Sequence, residues 1–233
     1  MNTNSMLSRV GRLAVCVTLL LAVQPRMPGA PFNLDNYNSG NIVVNSSTDT
    51  TGWIIQYPSG TLAGNRMIEF HKADESSASS LTIGSGVLTF NATSAGDWFQ
   101  VYSGYKWAQS PITYDLSAYN AFQVTVLSAP AGADYVGFGA GDPSIIASGA
   151  LASIPPSGSG PASAPFSWWD WSGVDFHHIY AVEFECYADV PGTYVFDNFQ
   201  AVLVPEPATL TLGLLGALAL WLRAAPSRRR LGD

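Results

Sequence analysis

Two glutamates stand two residues apart in the run Ala181-Val182-Glu183-Phe184-Glu185-Cys186-Tyr187. In an extended strand that spacing puts both carboxylates on one face, roughly 7 Å apart, with Val182, Phe184 and Cys186 on the other. Carboxylates at that separation are compatible with acid–base cleavage of a glycosidic bond. The competing reading is a solvated strand face, and it is preferred because catalytic pairs flank a cleft from separate elements. Trp168, Trp169 and Trp171 cluster in SWWDWSG, and Trp98, Tyr102, Tyr105 and Trp107 form a second aromatic stretch. Flat aromatic faces beside polar groups suit a binding cleft in which sugar rings stack; in sandwich proteins they also fill the core or pin loops. His177 and His178 follow Asp170 and Asp175. Neighbours in extended backbone point to opposite faces and do not easily share one metal ion, so these residues read as a polar loop-to-strand junction. Gly137-Phe138-Gly139-Ala140-Gly141 lacks the Gly-Lys-Ser/Thr ending and the helix of a phosphate loop. With no nucleophile elbow or Cys-His signature in view, the chain reads as non-catalytic.

The elements that must position these residues are strands. Between the two ends no segment of ten residues shows a helical period. Short alternating runs recur instead at 52–57, 66–71, 80–83, 87–91, 98–103, 121–127, 135–139, 179–187 and 193–203. Gly84-Ser85-Gly86 can close a hairpin, since glycine tolerates the positive φ of a tight turn. Residues 128–165 are rich in Gly, Ala, Ser and Pro and read as one strand followed by a long flexible loop. The expectation is an all-β chain, a single β-sandwich over 31–204. A domain of that length buries about 70% of its unfolded surface and needs no disulfide or metal merely to fold.

Charge separates this body from its flanks. Residues 31–204 hold three basic and 15 acidic residues, a formal charge of −12, while seven of the ten basic residues lie outside it. Such a body repels phosphate backbones, which excludes nucleic acid as a partner. At the N-terminus, Arg9 and Arg12 precede eleven apolar residues, 13–23, the pattern of a secretory signal helix within 1–30 that signal peptidase and the secretion machinery would process. At the C-terminus, Pro205, Glu206 and Pro207 precede the uncharged run 208–222, followed by Arg223 and by Arg228, Arg229 and Arg230. As a helix that run is about 22 Å long, short for a hydrocarbon core of about 30 Å. Trp221 at the interface and a snorkelling Arg223 extend its reach into the inner membrane, and the arginines stay on the cytoplasmic side. Of two cysteines, Cys16 lies in the signal, so Cys186 has no intrachain partner and reads as a buried thiol or, alternatively, an intermolecular bridge.

The tail at 205–233 resembles the PEP-CTERM sorting signal of Gram-negative bacteria, with its three parts in order. The resemblance implies that an exosortase recognises the tail, cleaves near Pro205–Pro207 and delivers the chain to the cell surface or extracellular matrix, often in strains that make exopolysaccharide. The body resembles jelly-roll, galactose-binding-like modules, the fold of many carbohydrate-binding modules. The likeness is carried by Asn33-Leu34-Asp35-Asn36-Tyr37, by Tyr114-Asp115-Leu116-Ser117-Ala118-Tyr119 and by Gly192-Thr193-Tyr194-Val195-Phe196-Asp197-Asn198-Phe199. It implies a structural Ca²⁺ with Asp35 and Asp197 as ligands; the alternative is that Asp197 bonds backbone at a strand edge. Three functions remain open: a non-catalytic surface or matrix protein contacting polysaccharide, a dedicated carbohydrate-binding module with a defined sugar site, or a glycan-active hydrolase. Cell fractionation with mass spectrometry checks the common expectation of export. Recovery of the processed body outside the inner membrane is expected, and an intact, unprocessed chain soluble in the cytosol contradicts it.

Overall fold

A computed structural model describes residues 30–48, 53–104, 113–142, 148–167 and 169–204. The chain divides into two compact units, Met1–Ala30 and Pro31–Asp233, and the fold described here belongs to the second. The expected signal and C-terminal helices, with the whole sorting motif, lie outside the described residues.

Thirteen strands follow one another: β1 (Phe32–Asp35), β2 (Ile42–Val44), β3 (Ile54–Gln56), β4 (Arg66–His71), β5 (Ser80–Gly84), β6 (Val87–Ala92), β7 (Trp98–Gly104), β8 (Ala121–Ser128), β9 (Tyr135–Gly141), β10 (Ser148–Ser153), β11 (Gly160–Pro165), β12 (Ala181–Tyr187) and β13 (Gly192–Val202). They form two antiparallel sheets. The first runs β11-β8-β13-β6-β5-β2, with β1 also paired to β13; the second runs β10-β9-β12-β7-β4-β3. The only helical pieces among the described residues are 3-10 turns at Leu62–Gly64 and Trp169–Trp171.

Alternation makes the core. Phe90, Phe122, Phe196 and Phe199 of the first sheet face Phe70, Phe99, Phe138 and Phe184 of the second, all essentially without solvent exposure. Their rings meet edge-on, as at Phe90–Phe99 (5.2 Å) and Phe184–Phe196 (5.0 Å). Such offset contacts add to the burial that holds sandwich layers about 10 Å apart. The hairpin from β5 to β6 turns at Ser85 and Gly86, with φ of 54° and 85°. Two successive positive values fit a primed turn, whose twist matches that of the strands.

The stretch 128–165 departs from expectation. It holds the last residue of β8 and then β9, β10 and β11, with the last two on different sheets. In β10 and β11 the residues turned inward are Ala150, Ala152, Ala162 and Ala164. Alanine carries too little hydrophobic contrast to mark a period, so real strands read as a loop. Pro161 and Pro165 are tolerated because β11 is an edge strand.

A buried ion pair links the sheets. Arg66 on β4 donates from Nε to Asp35 Oδ2 and from a terminal nitrogen to Asp35 Oδ1, both at 2.6 Å, with neither side chain exposed. The remaining guanidinium nitrogen reaches Ser39 O (3.0 Å) and Gln56 Oε1 (3.1 Å). Removing one partner of such a pair strands a charge and costs about 3–5 kcal/mol, whereas replacing both by packed apolar groups is far less harmful. Urea unfolding of Arg66→Met, Asp35→Leu and the double variant is expected to show large losses in both singles and partial recovery in the double. Singles near the parent stability would contradict this role.

Candidate functional site

β12 is the middle of the site. Val182, Phe184 and Cys186 enter the core, which turns Glu183, Glu185 and Tyr187 outward. Strand register then assembles neighbours in rows across the outer face of the second sheet. Glu183 lies opposite Tyr102 of β7 and Gly139 of β9, and Tyr102 lies opposite Met67 of β4. In the next row Glu185 lies opposite Gln100 and Gly137, and Gln100 opposite Glu69. Tyr187, Trp98 and His71 make the third. Six strands spaced ~4.8 Å apart span roughly 24 Å, enough for several consecutive sugar rings.

The glycines of β9 explain where the glutamates lie. A Cβ placed on Gly137 would collide with the Glu185 side chain, and one on Gly139 would meet Glu183 Oε2 at 2.7 Å and its Cβ at 2.8 Å. Both carboxylates therefore lean across a strand whose outward positions carry no side chain there. Gln100 Nε2 donates to Glu185 Oε2 (2.8 Å), and the Tyr102 hydroxyl donates to Gln100 Oε1 (2.8 Å), with Glu183 as competing acceptor. Burial, then the Glu183 charge, then the hydrogen bond with Glu183, raises the Tyr102 pKa far above the ordinary phenol range, so it stays a donor. Beside this network the Trp53 ring lies tilted by 30° at 6.2 Å from Tyr102, and His71 stacks on Trp98 at 5.4 Å.

The face combines acceptors, one fixed donor and flat rings. Carboxylates accept hydroxyl protons, and aromatic faces pack against the apolar side of a sugar ring. Hydrolysis would need more. Glu183 and Glu185 share one strand face and lean the same way, so they approach a ligand from one side, whereas glycosidic cleavage places its two carboxyls on either side of the bond.

The other residues singled out from the sequence are placed elsewhere. Trp171 is buried, packed at 5.4 Å against Phe122 and at 6.0 Å against Phe176, so it belongs to the core and not to a ligand platform. The side chains of Trp168 and Trp169, and all of Tyr105 and Trp107, lie outside the described residues. The calcium expectation does not fit Asp35. Its carboxylate receives two Arg66 nitrogens, the Tyr37 N–H (2.9 Å) and the Ser103 hydroxyl (3.3 Å), which use its acceptor capacity and set a fixed positive charge against any cation. Asp197 is hydrogen-bonded instead by Asn198 Nδ2 (2.8 Å), and no set of three His, Cys, Asp or Glu is placed to hold a metal among the described residues. His177 and His178 contact different carboxylates, Asp115 (3.4 Å) and Asp175 (2.6 Å). The hydrogen bond with Asp175, then its charge, raises the His178 pKa, and the same hydrogen bond is the largest cause lowering that of Asp175. Cys186 is buried, and that burial pushes its thiol pKa up, which removes its nucleophilic form.

Glu69, Gln100, His71, Trp53 and the two glycines were not singled out from the sequence as site residues. The signal was present in phase: the polar positions of Arg66–His71 and Trp98–Gly104 alternate as those of Ala181–Tyr187 do, and glycine recurs at every second residue of Tyr135–Gly141.

No protein-family model matches the chain, and no curated protein matches it. Among solved structures it is similar to a family 11 carbohydrate-binding module from Clostridium thermocellum in complex with a β-1,3-1,4-mixed-linked tetrasaccharide, at 14% identity over 76% of this chain and 97% of that one, with a TM-score of 0.39. It is also similar to a family 30 module of a Clostridium thermocellum cellulosomal cellulase, at 13% identity over 75% and 99% of the two chains, TM-score 0.40. A third similarity is to an exo-β-agarase, at 9% identity over 76% of this chain and 25% of that one, TM-score 0.41. The sandwich and its outer face rest on the chain's own pairing and contacts.

Proposed function

We propose that this is an exported, non-catalytic surface or matrix protein whose second sheet holds a polysaccharide on its outer face. The observation that carries the binding reading is the joining of Glu183, Glu185, Gln100 and Tyr102 with Trp53 and Trp98 on that one face. Polysaccharides present alternating hydroxyl edges and apolar ring faces, and this surface offers partners for both. Export is supported by the sequence pattern of the ends. The basic-then-apolar N-terminus and the Pro205-Glu206-Pro207, apolar, arginine-rich tail suit secretion followed by exosortase sorting from the inner membrane.

The outward face of the first sheet supplies an internal control. It presents Thr125, Gln123 and Gln200 and lacks rings at those positions; Gln200 Nε2 donates to Gln123 Oε1 (3.2 Å). A panel of neutral, amine-bearing and acidic glycans, read by calorimetry, tests the proposal. Trp98→Ala and Trp53→Ala are each expected to weaken binding of the selected glycan by about tenfold, the scale of one aromatic contact. Gln123→Ala and Thr125→Ala are expected to leave it unchanged. Absence of any selective glycan, or equal loss from both faces, would overturn the reading.

A further inference from the structure

Charge is divided unevenly between the two sheets. Strands β2, β5, β6, β8 and β11 of the first sheet contain no Asp, Glu, His, Lys or Arg. The rest of that sheet adds Asp35, buried with Arg66, and Asp197, hydrogen-bonded by Asn198 where the register of β13 shifts. Leu81, Leu88, Phe90 and Tyr194 enter the core, which turns their neighbours Thr82, Thr89, Asn91, Thr193 and Val195 outward. Register lines these up. Val43, Thr82, Thr89 and Val195 form one row across four strands, and Ser80, Asn91 and Thr193 form the next. Val43 is 64% exposed, and Thr82 and Thr193 are exposed as well. Toward the β11 edge Gln123 Nε2 donates to the Ser163 hydroxyl (2.8 Å). The face is a plane of β-branched methyls, hydroxyls and amides, roughly 24 Å across its six-strand path.

We propose that this face is where two copies of the chain meet, sheet against sheet, as a two-fold dimer. In such a pairing each patch meets itself and must be its own complement. Hydroxyls and side-chain amides both donate and accept, and β-branched methyls pack against their like, whereas ionised carboxylates only accept. Charge selects this face over the other. Residues 31–204 carry a formal charge of −12, and two such bodies associate where their charges lie furthest apart. With layers about 10 Å apart, pairing through the first sheets leaves the Glu69, Glu183 and Glu185 rows of the two copies roughly 30 Å from each other, far beyond the screening length of about 8 Å at physiological salt. Pairing through the second sheets would bring the same rows to roughly 10 Å. A patch roughly 24 Å by 20 Å is small for a permanent interface, which sets the dimer in the weak, reversible class. Its consequence rests on the glycan reading: the two glycan-holding faces point in opposite directions, and one dimer joins two polysaccharide chains.

Sedimentation equilibrium of the full chain, in a nonionic detergent that covers its apolar runs 13–23 and 208–222, is expected to show a reversible monomer–dimer equilibrium. Thr89→Glu and, separately, Thr82→Glu set carboxylate against carboxylate only if these faces meet. Each is expected to weaken the dimer at least about tenfold, with its thermal melt unchanged. Thr89→Asn keeps the face neutral and is expected to dimerise as the parent does. Ile55→Glu, at an exposed position of the second sheet's edge strand, is expected to leave the equilibrium unchanged. A chain that stays monomeric up to millimolar concentration, a dimer insensitive to both glutamate variants of the threonines, or equal weakening by Ile55→Glu would overturn the interface. With a long polysaccharide selected from the glycan panel, the parent is expected to raise light scattering by cross-linking and Thr89→Glu is not, while a short oligosaccharide of the same polymer binds both alike. Dimerisation without any glycan binding upholds the interface and ends the glycan reading. Glycan binding by a strict monomer does the reverse.

Discussion

The register of β12 between β7 and β9 decides both the interior and the surface of this protein. Phe184 fills the centre of the sandwich against Phe99, Phe138, Phe196 and Phe199, and its neighbours Glu183 and Glu185 are outside for that reason alone. A slip of one residue would bury two carboxylates and expose Val182, Phe184 and Cys186. The aromatic core therefore holds the polar face in place, and the face is as fixed as the core is. β9 completes the arrangement from the other side. Val136, Phe138 and Ala140 supply core, and the alternate glycines 137 and 139 leave room for the glutamates.

The internal ion pair serves the same end by another route. Arg66 begins β4, the strand that carries Glu69 and His71, and its guanidinium joins that strand to Asp35 of β1 in the first sheet. Ser103 of β7 adds a hydroxyl to the same carboxylate. The strands that bear the outer face are thus tied at one end by a buried charge pair and filled in the middle by phenylalanine rings.

Most of the sandwich is legible from alternation. Wherever a strand opposes large apolar residues to polar ones, as in Val87–Ala92 or Ala181–Tyr187, period and face both follow from the residues. Legibility ends where contrast ends. β1 and β2 are four and three residues long, and β10 and β11 present alanine inward, so neither length nor hydrophobicity marks them. The site was half visible. Glu183 and Glu185 could be placed on one wet face, but their partners Gln100, Tyr102 and Glu69 are brought beside them only by long-range pairing, which one strand's pattern cannot contain. Trp171 shows the converse. Its place in a tryptophan-rich run suggested a platform, yet it is pairing around Phe122, Phe166 and Phe176 that uses it as core.

The central claim is that the ligand lies across the outer face of the second sheet. Indole N–H resonances of the ligand-titrated protein, assigned by single Trp→Phe changes, locate it directly. The account predicts that the signals of Trp53 and Trp98 shift on addition of a bound glycan while that of buried Trp171 stays still. Saturable binding with Trp53 and Trp98 unmoved would contradict it.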